Sequence, residues 1–195
     1  MPTATALNQN KLRQLLSPAA AINLSSELKQ AAVLVLICNR AEGSFIPLTK
    51  RSVHLPIHAG QISFPGGRVQ PGDLNLATTA LRETMEEIGV NPQQITVLGC
   101  LPATSVSSGY EITPVVAITE TKLQFNPEPG EVAEMISFPL LLALDRQRYL
   151  LDANPENPSK SVMYIEYKEF YIWGATARIL HSLACMVAAT NNSSE

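Results

Sequence analysis

The chain has 195 residues, enough for one domain with a substantial core. Hydrophobic residues make up 46% and charged residues 16%, the balance of an ordered globular protein rather than a disordered one. A formal net charge of −3 gives no electrostatic basis for nucleic-acid binding, and the apolar run from Ala31 to Cys38 is too short to span a bilayer.

Residues 1–30 are polar, with short helical stretches expected at 10–16 and 26–30 and no pattern that suggests chemistry. The start lacks the basic region and apolar core of a signal peptide, so a soluble cytoplasmic protein is expected. Ala32 to Cys38 is β-branched and short, which predicts a buried strand. Residues 41–44 form a turn, and Phe45 to Arg51 returns as the second arm of a hairpin. Arg51 then lies at a strand end, suited either to a surface ion pair or to a substrate phosphate. His54 and His58 flank Pro56 and read as loop or packing histidines, since spacing assigns neither a partner carboxylate. Gln61 to Phe64 alternates as a strand and runs into Pro65-Gly66-Gly67. Two glycines there permit positive φ and let backbone N–H groups approach an anion.

From Leu76 to Ile88 there is neither Gly nor Pro, and the segment is rich in Ala, Leu, Met and Glu, which predicts a helix. Asn75 suits the N-cap, and Gly89 suits the left-handed turn at the other end. Ala77, Ala80, Leu81, Thr84 and Ile88 form a buried stripe at helical spacing. Glu83, Glu86 and Glu87 fall at i, i+3 and i+4 beside it, on an arc of about 100°. Carboxylates that close repel one another unless a cation sits between them, and hard oxygen donors suit Mg²⁺ or Mn²⁺. Arg82, four residues before Glu86, can hold one of them. A solvated acidic helix face is the plainer alternative.

Ile95 to Leu101 reads as a strand, 102–109 as a Ser/Thr-rich loop, and Tyr110 to Thr119 as a strand in which Pro114 marks an edge or a bulge. Tyr110 suits stacking on a ligand ring, or a purely structural place. Residues 126–130 are a loop, Glu131 to Phe138 a strand, and Pro139 to Leu144 a short helix. A turn-rich loop at 154–160 precedes strands at 162–167 and 170–173. Their Tyr164, Tyr167, Tyr171 and Trp173 are assigned to the core with Met163 and Met186. A closing helix spans 174–189, apolar at Ala177, Leu180, Ala184 and Val187, with a frayed tail from 191. Cys38, Cys100 and Cys185 fit neither a disulfide framework nor zinc spacing, so buried free thiols are expected. No internal repeat is visible.

Gly67, Arg82-Glu83, Glu86-Glu87 and Gly89 together resemble the Nudix box, G-x5-E-x7-R-E-U-x-E-E-x-G-U. Here the Gly67-to-Arg82 interval is one residue longer, Asp73 takes the place of the first acid, and Thr84 replaces an apolar residue. The longer interval resembles the coenzyme A pyrophosphatase branch of the Nudix hydrolases. So do Pro47-Leu48-Thr49-Lys50-Arg51-Ser52, the run from Gly60 to Gly67, and the run from Ser108 to Val116; the branch's second upstream arginine falls on Pro56. The resemblance covers about residues 32–185. It implies an α+β Nudix fold, a mixed β-sheet sandwiched between α-helices, in a single domain over 1–195. It implies a metal-dependent hydrolase of coenzyme A or an acyl-coenzyme A, with Mg²⁺ or Mn²⁺ on Glu83, Glu86 and Glu87. Glu86, Arg82 and Glu131 would be catalytic, Glu131 as a further ligand or as the base, unless it is only a loop acid. Arg51, Gly66, Gly67 and Tyr110 would bind a small pyrophosphate substrate, and a homodimer is compatible with this. Two alternatives stand beside it: a Nudix enzyme acting on ADP-ribose or another nucleoside diphosphate derivative, and a non-catalytic Nudix-fold binder.

Overall fold

The computed structural model of the chain describes residues 9–18, 28–154 and 161–192. Its centre is strand β1 (Lys29–Cys38), buried along most of its length. That burial explains its unbroken apolar run, because an inner strand in parallel pairing is covered on both faces. β1 lies parallel to β7 (Tyr110–Thr119) over ten residue pairs, from Lys29↔Tyr110 to Cys38↔Thr119. Around this pair an eight-stranded mixed sheet takes the order β3 (Ile62–Ser63), β2 (Phe45–Arg51), β1, β7, β5 (Thr96–Cys100). Three more strands pair off that path: β4 (Gly66–Arg68) on β1, β6 (Thr104–Val106) on β7, and β8 (Val132–Pro139) on β2.

The pleat divides β1 between two cores. Ala32, Leu34 and Leu36 face α2 (Leu76–Ile88) and pack with its Leu76, Ala77, Ala80 and Ile88. Val35 and Ile37 face the other way, toward Leu12 of α1 (Gln9–Leu15) and Leu180 and Leu183 of α4 (Ala175–Asn192). The sheet is therefore sandwiched between helices, as expected. A side chain such as Ile88, fully buried, contributes about 1.5–3 kcal/mol, and Ile88→Ala would cost about 2–5 kcal/mol through the void it leaves. α3 (Leu140–Leu144) follows β8, and a separate three-stranded sheet has the order β11 (Phe170–Trp173), β10 (Val162–Tyr167), β9 (Leu150–Asp152).

Several expectations need correction. Lys29 and Gln30 open β1 rather than ending a helix, while residues 26 and 27 lie outside the described residues, as do 155–160 and 193–195. The 102–109 loop contains β6, and α4 continues to Asn192 where a tail was expected. Pro114 sits in an inner strand, paired with Val33 on one side. Its missing N–H falls where the neighbour on the other side changes from β5 to β6, so no ladder bond is lost. Cys38 and Cys100 are buried but Cys185 is exposed, its sulfur 3.7 Å from Nε2 of His181. Tyr171 and Trp173 alternate outward on β11 and are exposed, while Phe170 and Ile172 fill the core.

Candidate active site

The box helix is held at both ends by its own sequence. Asn75 Oδ1 accepts from the Thr78 N–H at 2.9 Å, and Gly89, at φ 70°, closes the far end with its N–H on the Met85 carbonyl. Thr84, the polar residue in an apolar position, is buried and donates its hydroxyl to the Ala80 carbonyl at 2.7 Å.

Two glycines let β4 lie tight against this helix. Gly66, at φ 152°, has no room for a Cβ, which would overlap the backbone of Ala32 and Val33 in β1. A Cβ on Gly67 would stand 2.5 Å from the carboxylate carbon of Glu83. The Gly66 N–H is directed at Glu87 Oε2, 3.3 Å away, rather than out toward a ligand.

Arg82 uses all five of its N–H donors on the protein. Nε and Nη2 grip the two oxygens of Asp73 at 3.1 and 3.0 Å, and Nη2 also reaches the Arg68 carbonyl at 3.0 Å. Nη1 holds Glu83 Oε1 at 2.9 Å and Glu86 Oε2 at 3.0 Å. Asp73 further accepts from the Gln70 N–H and the Thr79 hydroxyl. The Arg82 hydrogen bonds, with help from these two donors, hold the Asp73 carboxyl down at about 2.

Glu87 lives differently. Its side chain is 5% exposed, against 56% for Glu86. Burial first, then the charges of Glu131 and Glu83, push its carboxyl up to about 8, against the pull of the Gly66 N–H and of Arg51. Burial also raises Glu83, with smaller contributions from Glu86 and Glu131. Arg51 Nη1 stands 4.0 Å from Glu87 Oε1, and Arg51 Nε is buried without a hydrogen-bond partner. The loop carrying Glu131 is tied to the end of β2 by the Ser52 N–H, which donates to the Glu131 carbonyl at 2.8 Å.

The residues picked from the sequence thus fall into two groups. Arg51, Gly66, Gly67, Arg82, Glu83, Glu86, Glu87 and Glu131 cluster around the α2–β4 junction. Tyr110 lies apart from them, with Lys29 and Arg68 on its ring. His54 and His58 sit in the exposed β2–β3 loop, His58 bonded to Gln61, as loop histidines should. Sequence reading missed the lock formed by Asp73, Thr79 and the Arg68 carbonyl around Arg82; the one available signal was Asp73 itself, an acid in the loop before the helix.

Among the described residues, no three acid, His or Cys side chains converge into a ready-made metal cage. The donor chemistry nevertheless fits a hard divalent cation. Arg82 occupies one oxygen each of Glu83 and Glu86, leaving the second oxygens for a cation, and Glu87 is a buried acid whose nearest cationic atom is 4.0 Å away.

Comparison with known proteins agrees with this geometry. The NUDIX domain family model matches residues 28–157. A protein named uncharacterized Nudix hydrolase NudL from Pectobacterium atrosepticum is 38% identical over 189 residues, 96% of this chain and 97% of that one. Its namesake from Shigella flexneri is 39% identical over 163 residues, 83% and 84% of the two chains. Among solved structures, a NUDIX hydrolase from Alicyclobacillus acidocaldarius superposes with a TM-score of 0.52 at 17% identity, covering 85% of this chain and 94% of that one. A C. elegans Ap4A hydrolase binary complex gives 0.50 at 23% identity, covering 57% and 80%. At such identities these two structures speak for the fold alone. The chain belongs to the Nudix family: it is a Nudix hydrolase, of a class that acts on pyrophosphate bonds in small nucleotide derivatives and generally uses divalent metal ions.

Proposed function

We propose that this hydrolase cleaves the diphosphate bond of coenzyme A or an acyl-coenzyme A, releasing adenosine 3′,5′-bisphosphate and a 4′-phosphopantetheine. The observation that carries the reading is Arg51. It belongs to the segment 47–52 that resembles the coenzyme A branch, and its guanidinium borders Glu87 with a buried Nε unsatisfied by the protein. An orphaned, buried N–H beside a carboxylate cluster suits a phosphate oxygen.

Mg²⁺ or Mn²⁺, held by Glu83, Glu86 and Glu87, would neutralise diphosphate charge and acidify water. Arg51 binds a non-bridging oxygen and turns the phosphorus toward the carboxylates. Gly66 and Gly67, by letting β4 lie tight against Glu83 and Glu87, set those carboxylates at the β4–α2 junction where the diphosphate would be received. Glu131 accepts the proton of the attacking water; the new P–O bond forms as the bridging P–O bond breaks, and the departing phosphate keeps the bridging oxygen. Arg82, with every donor engaged, acts as a positioning residue for Glu83 and Glu86.

A second reading, a Nudix enzyme acting on ADP-ribose or a similar nucleoside diphosphate derivative, is favoured by Pro56, which stands in an exposed loop where the branch pattern has an arginine. Hydrolysis of coenzyme A, ADP-ribose and NADH side by side with Mn²⁺, read by product mass, separates the two. Coenzyme A should be cleaved fastest; faster cleavage of ADP-ribose overturns the proposal. Ligand binding without turnover in either metal would instead indicate a non-catalytic binder, which the complete glutamate set argues against.

A further inference from the structure

Lys29 opens β1, Arg68 closes β4 and Tyr110 opens β7. Arg68 pairs with Ala31, and Lys29 with Tyr110. Paired residues project to the same face of a sheet, and so do residues two apart on one strand. All three side chains therefore rise from one face, opposite α2, whereas Gly67 faces Glu83. The Arg68 guanidinium lies 5.2 Å from the Tyr110 ring centroid and Lys29 Nζ 5.9 Å from it. Among the described residues neither cation has a carboxylate partner. The ring attracts both cations through its π-face, yet their mutual repulsion is left without a counter-charge. β4 pairs with β1 alone, so it is an edge strand. The carboxylate cluster and the two cations thus lie on opposite sides of one narrow edge, at adjacent residues.

We propose that Lys29 and Arg68, gathered on Tyr110, clamp a second phosphate monoester on the nucleoside half of the substrate, with the ligand bent over the β4 edge. The inference rests on the coenzyme A reading and deepens it: the preferred substrate class is a nucleoside diphosphate bearing an additional ribose phosphate.

The test has two arms. In the first, kcat/KM is measured for coenzyme A and 3′-dephospho-coenzyme A on the wild type and on the Lys29→Ala/Arg68→Ala variant, with Mn²⁺. Two partly exposed ion pairs predict a preference for coenzyme A of about tenfold, carried by KM and collapsing toward one in the variant. In the second, calorimetry compares adenosine 3′,5′-bisphosphate with 5′-AMP on both proteins. The bisphosphate should bind more tightly to the wild type, by a margin that shrinks with salt and vanishes in the variant. Arg68→Lys, which keeps the charge, should retain part of the margin. A wild type that does not discriminate in binding, or a variant that still does, overturns the clamp. If neither coenzyme A compound is cleaved, the function reading fails, and calorimetry alone still decides the clamp.

Discussion

The two ends of α2's acidic face solve opposite problems. Toward the box loop, Glu83 and Glu86 share one guanidinium nitrogen and Asp73 braces the same guanidinium, so each carboxylate there is held by a charged hydrogen bond even though three of them meet one cation. One residue further on, Glu87 is sunk against Gly66 with a single N–H donor and a cation 4.0 Å away. The first end is a structural lock; the second is a charge deficit kept in reserve. In helix position Glu86 and Glu87 differ by one residue, and the difference between them comes from burial.

Breaking the deficit should act on activity and leave the fold. Glu87→Gln removes the buried ionisable ligand while keeping the shape, so turnover should fall by about 10³-fold with Tm retained, checked by steady-state kinetics and calorimetry. Wild-type turnover in that variant would sink the metal assignment. The same carboxyl sets a pH signature. Its folded value, about 8, lies above the ordinary 4.5, so the folded state holds a proton that the unfolded chain has released. Stability in chelator should therefore decline as pH rises from about 4.5 to 8, by on the order of 3 kcal/mol. Mn²⁺ should flatten that slope, and Glu87→Gln should reduce it to the share that Glu83, also raised by burial, contributes; denaturant titrations across the range read both.

Breaking the lock should act on both fold and activity. Arg82→Ala leaves Asp73 and Glu83, 4% and 13% exposed, without their cation, and should cost about 2–3 kcal/mol, lowering Tm by about 5–10 °C. Arg82→Lys should recover little, because one ammonium cannot replace five planar donors. Asp73→Asn should have the smallest effect, on the order of 1 kcal/mol after solvent screening. Asp73 has the opposite sign to Glu87: its stabilisation is present above the ordinary 3.8 and is lost as pH falls through about 2. Acid unfolding of Asp73→Asn should be correspondingly less steep.

The helix was legible in the sequence because caps, periodicity and spacing are local, and of the lock only the pairing of Arg82 with Glu86 was, for the same reason. Asn75, Gly89 and the span from Leu76 to Ile88 appear where the residues place them. The deficit at Glu87 was not legible: three glutamates at i, i+3 and i+4 look alike until a strand is laid against one of them. The same limit explains β6 and β9, three residues each, too short for any periodicity to show. It explains Pro114 as well, since a proline reads as an edge unless one knows that two different partners meet beside it. Tyr171 and Trp173 misled because bulk and aromaticity were taken as burial, whereas their alternation with Phe170 and Ile172 already pointed outward.

The long parallel pairing of β1 with β7 has a kinetic corollary. β4, the loop after it and α2 are strung between two segments that meet only after a large chain closure, and such distant parallel contacts form slowly. During synthesis the acidic helix can coil as soon as it emerges, but β1 cannot receive its parallel neighbour until β7 has left the ribosome. Until then its apolar flank is a natural target for chaperones.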